Sequence, residues 1–166
     1  MIHLGSNNSN SWLSKSSPEQ IQPNAIDLKV DKIYEIQKNT FTINEESKTH
    51  RGSEEIQPDE NGIWNLRPGT YEIIMEGEIS IGEDEAGWVI TRSTLNRNGC
   101  FITSGLYDSG YKGVMAGALH VNISNMIITK GTRVAQFLLF KAEAINQYDG
   151  DYGTGKADDI MYGAAV

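Results

Sequence analysis

The chain has 166 residues, enough for one domain with a sizeable core, and carries a formal net charge of −8. An acidic chain repels a phosphate backbone, which argues against nucleic-acid binding. Its single cysteine excludes an intrachain disulfide, and no apolar run approaches the roughly 20 residues of a membrane span. These features predict a soluble cytoplasmic protein.

The first part of the chain changes from polar to strand-like. Ser6–Gln22 is polar and predicts a partly loose segment, with a short helical turn at Ser16–Glu19. Asn44–Gly62 is charged and predicts a surface excursion that is poor in strands. Between them, alternating apolar and polar residues predict strands at Ile26–Val30, Ile33–Ile36 and Thr40–Ile43.

The second part predicts more strands and one helical turn. Arg67–Thr70 is typical of a turn, and Ser93–Asn98 predicts the helical turn, with Ser93 or Thr94 as its N-cap and Gly99 as its stop. Apolar runs predict strands at Tyr71–Met75, Ile79–Ile81, Trp88–Ile90, Cys100–Ile102, Gly113–Val121, Met126–Ile128 and Val134–Phe140.

Many short strands separated by turns predict an all-β sandwich or jelly roll. From Asn146 the chain is rich in glycine, which predicts a flexible C-terminal arm. We therefore divide the chain into a β domain, residues 1–145, and an arm, residues 146–166.

Four segments could carry chemistry. Arg92-Ser93-Thr94 joins a strand to a helix start and could hold phosphates, or could be a capped turn with a surface arginine. Gln136 lies in an apolar strand, where a buried amide needs partners. Asp108 begins Asp-Ser-Gly, which by itself is ordinary turn chemistry. Tyr152 lies among glycines in the arm, which could be disordered or could fold over a nucleotide.

The histidines and the cysteine give no sign of a metal site. His3, His50 and His120 are far apart in sequence and do not have the spacing of metal ligands. Cys100 follows Gly99 at a strand start, which predicts a buried small residue.

Five segments in this order resemble the motifs of the trimeric dUTPase and dCTP deaminase superfamily. They are Ala25–Leu28, Arg92–Thr94, Gly105–Gly113, Gly131–Gln136 and Gly150–Gly155. The similarity extends from about residue 22 to residue 155. It implies a distorted jelly roll that assembles as a homotrimer, with active sites built from neighbouring subunits.

The resemblance also implies roles for individual residues. Asp108 would activate a water for attack on the α-phosphorus of dUTP, and Tyr111 would lie under the deoxyribose and exclude a 2′-hydroxyl. Magnesium would bind mainly through the triphosphate and water, with Asp27 at most in its outer shell. The remaining substrate contacts would come from Arg92, Ser93, Thr94, Arg97, Gln136 and Tyr152.

One position discriminates between the two branches of the superfamily, which share the fold and most phosphate contacts. The deaminase needs a glutamate on the strand after the third motif, and here that position is Ala118, which cannot transfer a proton. The resemblance therefore favours Mg²⁺-dependent dUTP hydrolysis. A dCTP deaminase or dCTP-hydrolysing relative remains the alternative, as does a nucleotide-binding regulatory protein without activity.

Overall fold

The computed structural model describes residues 1–158 of the chain. The strands are β1 (Trp12–Leu13), β2 (Ile26–Ile36), β3 (Thr42–Ile43), β4 (Lys48–Thr49), β5 (Ser53–Glu55), β6 (Ile63–Leu66), β7 (Gly69–Ser80), β8 (Glu85–Thr91), β9 (Cys100–Thr103), β10 (Leu106–Tyr107), β11 (Lys112–Val121), β12 (Met126–Thr129) and β13 (Arg133–Lys141). One α-helix, α1 (Ser93–Arg97), lies between β8 and β9, and a 3₁₀ turn covers Pro18–Gln20. The predicted all-β jelly roll with one short helix is confirmed.

Strand β2 connects the two layers of the jelly roll. Its first half pairs with β13, and its second half pairs with β7, with a register irregularity between Val30 and Lys32. The order of the large sheet is β10-β8-β13-β2-β7-β11-β9, with β1 added at β7 and β5 at β2. Apolar side chains from both halves form one core that includes Leu28, Met115 and Phe137.

In two places, a pair of neighbouring strands predicted from the sequence forms one continuous strand in the structure. Ile26–Val30 and Ile33–Ile36 form β2, because a bulge carries the chain through the polar residues between them. Tyr71–Met75 and Ile79–Ile81 lie mainly in β7, which passes through Gly77 at φ +84°. The prediction of separate strands was wrong because local alternation does not reveal a bulge.

The charged segment Asn44–Gly62 contains more order than expected. Strands β3 and β4 form a small hairpin that begins just before it, and β5 pairs with the second half of β2. Strand β6, which directly follows the segment, was not predicted and pairs with β12. The N-cap of α1 is Arg92 rather than Ser93 or Thr94, and no side-chain hydrogen bond caps the helix. Cys100 is buried as predicted.

The polar N-terminal segment is held by a buried carboxylate rather than loose. Glu85 is fully buried and accepts hydrogen bonds from the backbone amides of Asn10 and Ser11 at 3.0 Å, from the Ser9 hydroxyl at 3.0 Å and from the Ser11 hydroxyl. Lys141 Nζ donates to the same carboxylate at 2.9 Å. Burial raises the pKa of Glu85, but these donors outweigh burial and lower it to about 2.

Glu85→Gln tests this anchor. The substitution removes a charged acceptor from several donors, so we expect the free energy of unfolding at pH 7 to fall by about 2 kcal/mol. The pKa of Glu85 is about 2 in the folded state against an ordinary 4.5, so the unfolded state binds more protons. Stability from Glu85 is therefore complete above pH 4.5 and lost as the pH falls towards 2.

Urea unfolding between pH 3 and pH 7 measures both effects, with Glu83→Gln as the control because Glu83 is exposed in the same loop. Equal stability of the two variants at pH 7 would contradict the role of Glu85 as an anchor.

Candidate functional site

A buried carboxylate connects three of the segments that the sequence singled out. Asp27 on β2 is completely shielded from solvent. The side-chain amide of Gln136 donates to its Oδ1 at 3.0 Å, and the Arg133 guanidinium donates to its Oδ2 at 3.3 Å. Arg92 Nε lies 3.4 Å from the same Oδ2. Two cations and an amide satisfy the buried charge, so these four residues form a fixed group, here called the Asp27 cluster.

The helix α1 extends the Asp27 cluster towards solvent. The Arg92 guanidinium also donates to the Arg133 carbonyl at 3.1 Å, which ties the end of β8 to the start of β13. Ser93 and Thr94, the first residues of α1, are exposed, as is Arg97 in its last turn. The side chains predicted to bind phosphates therefore share one corner of the molecule.

Asp108 occupies the first position of a tight turn between β10 and β11. The Tyr111 amide donates to the Asp108 carbonyl at 3.0 Å, and Gly110 has a φ of +81°, which favours glycine. The buried Ser109 hydroxyl donates to the Glu85 carbonyl at 2.7 Å and so attaches the turn to β8. Asp108 itself is exposed. A well-anchored turn thus carries a solvent-facing carboxylate.

Tyr111 forms part of the wall of a cavity of about 780 Å³. Its side chain is only 6% exposed, its hydroxyl donates to the Val114 carbonyl at 2.7 Å, and its ring meets that of Tyr107 edge-on at a centroid distance of 5.2 Å. Strand β11 adds further wall residues, among them Ala116, Gly117 and Ala118. The cavity is large enough for a nucleobase with its sugar, and its tyrosine wall is fixed by packing.

Asp108 lies outside this cavity and lines a smaller one of about 500 Å³, together with residues 142–149. Leu106 and Tyr148 border both cavities, so the two spaces are neighbours. The structure therefore brings Asp108 and Tyr111 to one side of the molecule.

The Asp27 cluster and Asp108 lie at opposite ends of β8. Tyr107, next to Asp108, pairs with Gly87, whereas Arg92 follows the last residue of the strand. At the usual rise of a strand, Gly87 and Arg92 are separated by roughly 17 Å. One chain therefore does not bring the predicted phosphate-binding residues to the predicted water-activating carboxylate.

The beginning of the arm crosses the wall of the larger cavity. Tyr152 lines the cavity, and its amide donates to the Tyr148 hydroxyl at 3.1 Å. Lys48 on β4 forms ion pairs with Asp151 at 2.5 Å and Asp158 at 2.8 Å, and its Nζ lies 5.2 Å from the centre of the Tyr152 ring. These hydrogen bonds raise the pKa of Lys48 above its ordinary value. Residues 159–166 of the predicted arm lie outside the described residues.

Glu72 is a cavity residue that the sequence reasoning missed. It lies on β7 directly opposite Ala118 on β11, and both residues line the larger cavity. The Ser53 hydroxyl donates to Glu72 Oε2 at 2.8 Å. The alternation of Tyr71-Glu72-Ile73 could have placed Glu72 on one face of a strand, but only the strand register shows that it faces the cavity.

The side chains of residues 1–158 do not fit a metal site held by protein ligands. Within that range, no group of three His, Cys, Asp or Glu residues could hold a metal ion. Asp27, the predicted outer-shell contact, is buried and faces guanidinium groups, which does not suit an approach to a hydrated cation.

No helix among the described residues is long and apolar enough to cross a membrane.

Comparison with known proteins shows similarity to dCTP deaminase-like proteins and to deoxyuridine 5′-triphosphate nucleotidohydrolases. The sequence model of the dCTP deaminase-like family matches residues 7–142. A probable deoxyuridine 5′-triphosphate nucleotidohydrolase of Halobacterium salinarum is 36% identical over 145 residues, which are 84% of this chain and 87% of that protein. The deoxyuridine 5′-triphosphate nucleotidohydrolase of Methanocaldococcus jannaschii is 30% identical over 152 residues, 90% of this chain and 97% of that protein.

A solved structure supports the fold. The 2′-deoxycytidine 5′-triphosphate deaminase of Agrobacterium tumefaciens matches with a TM-score of 0.63 at 14% identity. The match covers 81% of this chain and 44% of the deaminase chain, so this chain corresponds to less than half of that protein. At this identity the likeness concerns the architecture.

Lys48→Ala tests whether the β3–β4 hairpin holds the arm. Loss of two ion pairs should make amide hydrogen exchange of residues 148–156 roughly fivefold faster, because each exposed pair stabilises the closed arm only modestly. Exchange is measured by mass spectrometry, with Lys38→Ala, a change at an exposed lysine before the hairpin, as the control. Exchange as slow as in the unmodified protein would show that Lys48 does not hold the arm.

Proposed function

We propose that this protein, which belongs to the dUTPase and dCTP deaminase superfamily, hydrolyses dUTP to dUMP and pyrophosphate. Relatives that are 30–36% identical over more than 80% of this chain carry the name deoxyuridine 5′-triphosphate nucleotidohydrolase. The observation that carries the proposal is the turn at Asp108, which holds an exposed carboxylate beside a cavity with a tyrosine wall.

Asp108 would act as the general base. A carboxylate that is exposed, and attached through Ser109 and the Tyr111 amide, can orient one water and accept its proton as the water attacks the α-phosphorus. The turn is held at both sides, so the backbone that carries the carboxylate does not need to be ordered during the reaction. Pyrophosphate is then the leaving group and dUMP the second product.

Tyr111 would select deoxyribose. Its hydroxyl is engaged by the Val114 carbonyl and its ring contacts Tyr107 and Tyr148, so it cannot easily move away from a bound sugar. A 2′-hydroxyl against this ring would lack both space and a hydrogen-bonding partner. The base would lie deeper in the cavity, along β11, with Tyr152 closing over it.

The phosphates would be bound by the corner that contains the Asp27 cluster. Asp27 fixes the Arg92 guanidinium through Nε, and Gln136 is fixed by the same carboxylate. Ser93, Thr94 and Arg97 add hydroxyls and a second cation nearby. A guanidinium in a fixed position stabilises the charge that grows on phosphate oxygens during the reaction.

The separation along β8 favours an active site shared between subunits. Arg92 lies roughly 17 Å from the level of Tyr107, the neighbour of Asp108, within one chain, which is too far for Arg92 and Asp108 to act on one α-phosphate. A homotrimer in which Arg92 of one subunit faces Asp108 of another removes this mismatch.

Magnesium would reach the active site bound to the substrate. The described residues do not fit a protein-held ion, so Mg²⁺ would be carried by the triphosphate and water. When bound in this way it neutralises phosphate charge.

Deamination of dCTP is the second candidate, favoured by the match to the dCTP deaminase-like family. The residue at the position of the deaminase glutamate is Ala118, whose side chain cannot transfer a proton, and the carboxylate opposite it, Glu72, belongs to another strand. We therefore propose hydrolysis rather than deamination.

Asp108→Asn tests the general base. An amide cannot accept the proton, so pyrophosphate release from dUTP should fall by about 10²- to 10⁴-fold, while dUTP binding by calorimetry stays close to that of the unmodified protein. Asp31→Asn is the control, because Asp31 pairs with Lys130 at 2.9 Å outside the proposed site. Unchanged turnover of Asp108→Asn would show that another group activates the water.

A complementation experiment tests the shared site. Asp108→Asn and Arg92→Ala homotrimers should both be nearly inactive, but co-expressed mixed trimers contain sites that have Asp108 from one chain and Arg92 from another. Such trimers should release pyrophosphate from dUTP at a rate at least about tenfold above either parent.

Native mass spectrometry confirms the mixed composition, and a Ser93→Ala/Thr94→Ala variant replaces Arg92→Ala if that protein unfolds. Mixed trimers no more active than their parents would place Asp108 and Arg92 in separate functions.

A further inference from the structure

The larger cavity contains a carboxylate, that of Glu72, next to Ala118. Glu72 and Ala118 are direct partners in the antiparallel pairing of β7 and β11. Side chains of directly opposite residues project from the same face, with Cβ atoms about 5 Å apart. Both residues line the same cavity. The cavity wall at Ala118 is therefore acidic, although the strand that carries Ala118 is not.

The Glu72 carboxylate is oriented by its surroundings. The Ser53 hydroxyl on β5 donates to Oε2 at 2.8 Å, and Ser53 also lines the cavity. Burial is the main cause that raises the pKa of Tyr34 and of Tyr152, and the negative charge of Glu72 raises both pKa values further. Glu72 and Tyr152 both line the larger cavity.

An ionised carboxylate accepts hydrogen bonds and cannot donate them. The polar edge of uracil presents a single N–H between two carbonyl oxygens, and both oxygens repel a nearby carboxylate. The edge of cytosine presents an amino group at its end, which a carboxylate can approach without facing two carbonyls. Carboxylate side chains accept from the cytosine amino group in other complexes for the same reason.

We propose that Glu72 is a base-selecting residue that accepts a hydrogen bond from the exocyclic amino group of cytosine, so that the protein hydrolyses dCTP as well as dUTP. This inference rests on the proposed function, because it assumes that the base occupies the larger cavity. Glu72 binds the amino group and takes no part in breaking the C4–N bond. Ala118 leaves room for the base beside it.

Glu72→Gln and Glu72→Ala test this role. We measure kcat/KM for pyrophosphate release from dUTP and dCTP, together with ammonia release from dCTP. The unmodified protein should hydrolyse both nucleotides. Glu72→Ala should lower the ratio of dCTP to dUTP turnover by about 10- to 100-fold, as expected for loss of a hydrogen bond to a charged acceptor. Glu72→Gln, whose amide oxygen still accepts but carries no charge, should lower it by less. Glu54→Gln is the control, since Glu54 is exposed on β5 and does not line the cavity.

The double variant Glu72→Ala/Ala118→Glu moves the carboxylate across one strand pair within the same cavity. Because it also puts a glutamate at the position of the deaminase glutamate, pyrophosphate and ammonia release from dCTP are both measured. This variant should restore dCTP hydrolysis relative to Glu72→Ala. Circular dichroism of every variant shows whether the protein is folded.

The outcomes separate the two proposals. No pyrophosphate from either nucleotide would overturn the proposed function itself. Hydrolysis of dUTP without hydrolysis of dCTP, or an unchanged ratio in both Glu72 variants, would overturn only the role of Glu72. Ammonia release from dCTP that depends on Glu72 would also overturn it, because Glu72 would then transfer protons rather than bind the amino group.

Discussion

The Asp27 carboxylate is buried without any exposure to solvent, and it is stable there because Arg92, Arg133 and Gln136 surround it. A buried charge that loses its partners costs several kcal/mol, so this group forms as a whole or not at all. It joins β2, the end of β8 and the start of β13. Because Arg92 is the N-cap of α1, the Asp27 cluster also positions the exposed side chains of this helix. The electrostatic requirement of one carboxylate therefore determines where an anionic substrate group could bind.

The geometry of β8 has a second consequence. The strand carries Arg92 at one end, while near its other end Glu85 holds both the N-terminal segment and, through its carbonyl, the turn of Asp108. Because β8 is paired along its whole length with β13, its two ends stay a full strand length apart within one chain. An active site that contains both Arg92 and Asp108 therefore requires a second copy of the chain. The arm crosses the larger cavity next to Tyr111, held by Lys48 of the charged hairpin, so the segment that composition described as a surface excursion has a structural connection to the site.

The order of the motifs and the all-β fold could be predicted from the sequence, because alternation, turn residues and segment order are local properties. The roles of Ser93, Thr94 and Asp108 came from the order of the motifs and stay predictions. Contacts between distant strands could not be predicted. The pairing of Glu72 with Ala118 depends on the register of β7 and β11, and the anchoring of Ser9–Ser11 by Glu85 joins residues more than 70 positions apart. The sequence reasoning about Ala118 was complete along its own strand, but the cavity is built from several strands.

A crystal structure with a non-hydrolysable dUTP analogue and Mg²⁺ would test the central claim, that two separated halves of the surface form one active site between copies of the chain. We expect the base in the cavity beside Tyr111, Asp108 of the same subunit near the α-phosphorus, and Arg92 of a second subunit on the phosphates. A nucleotide bound entirely within one subunit, or bound away from both Asp108 and Arg92, would contradict it.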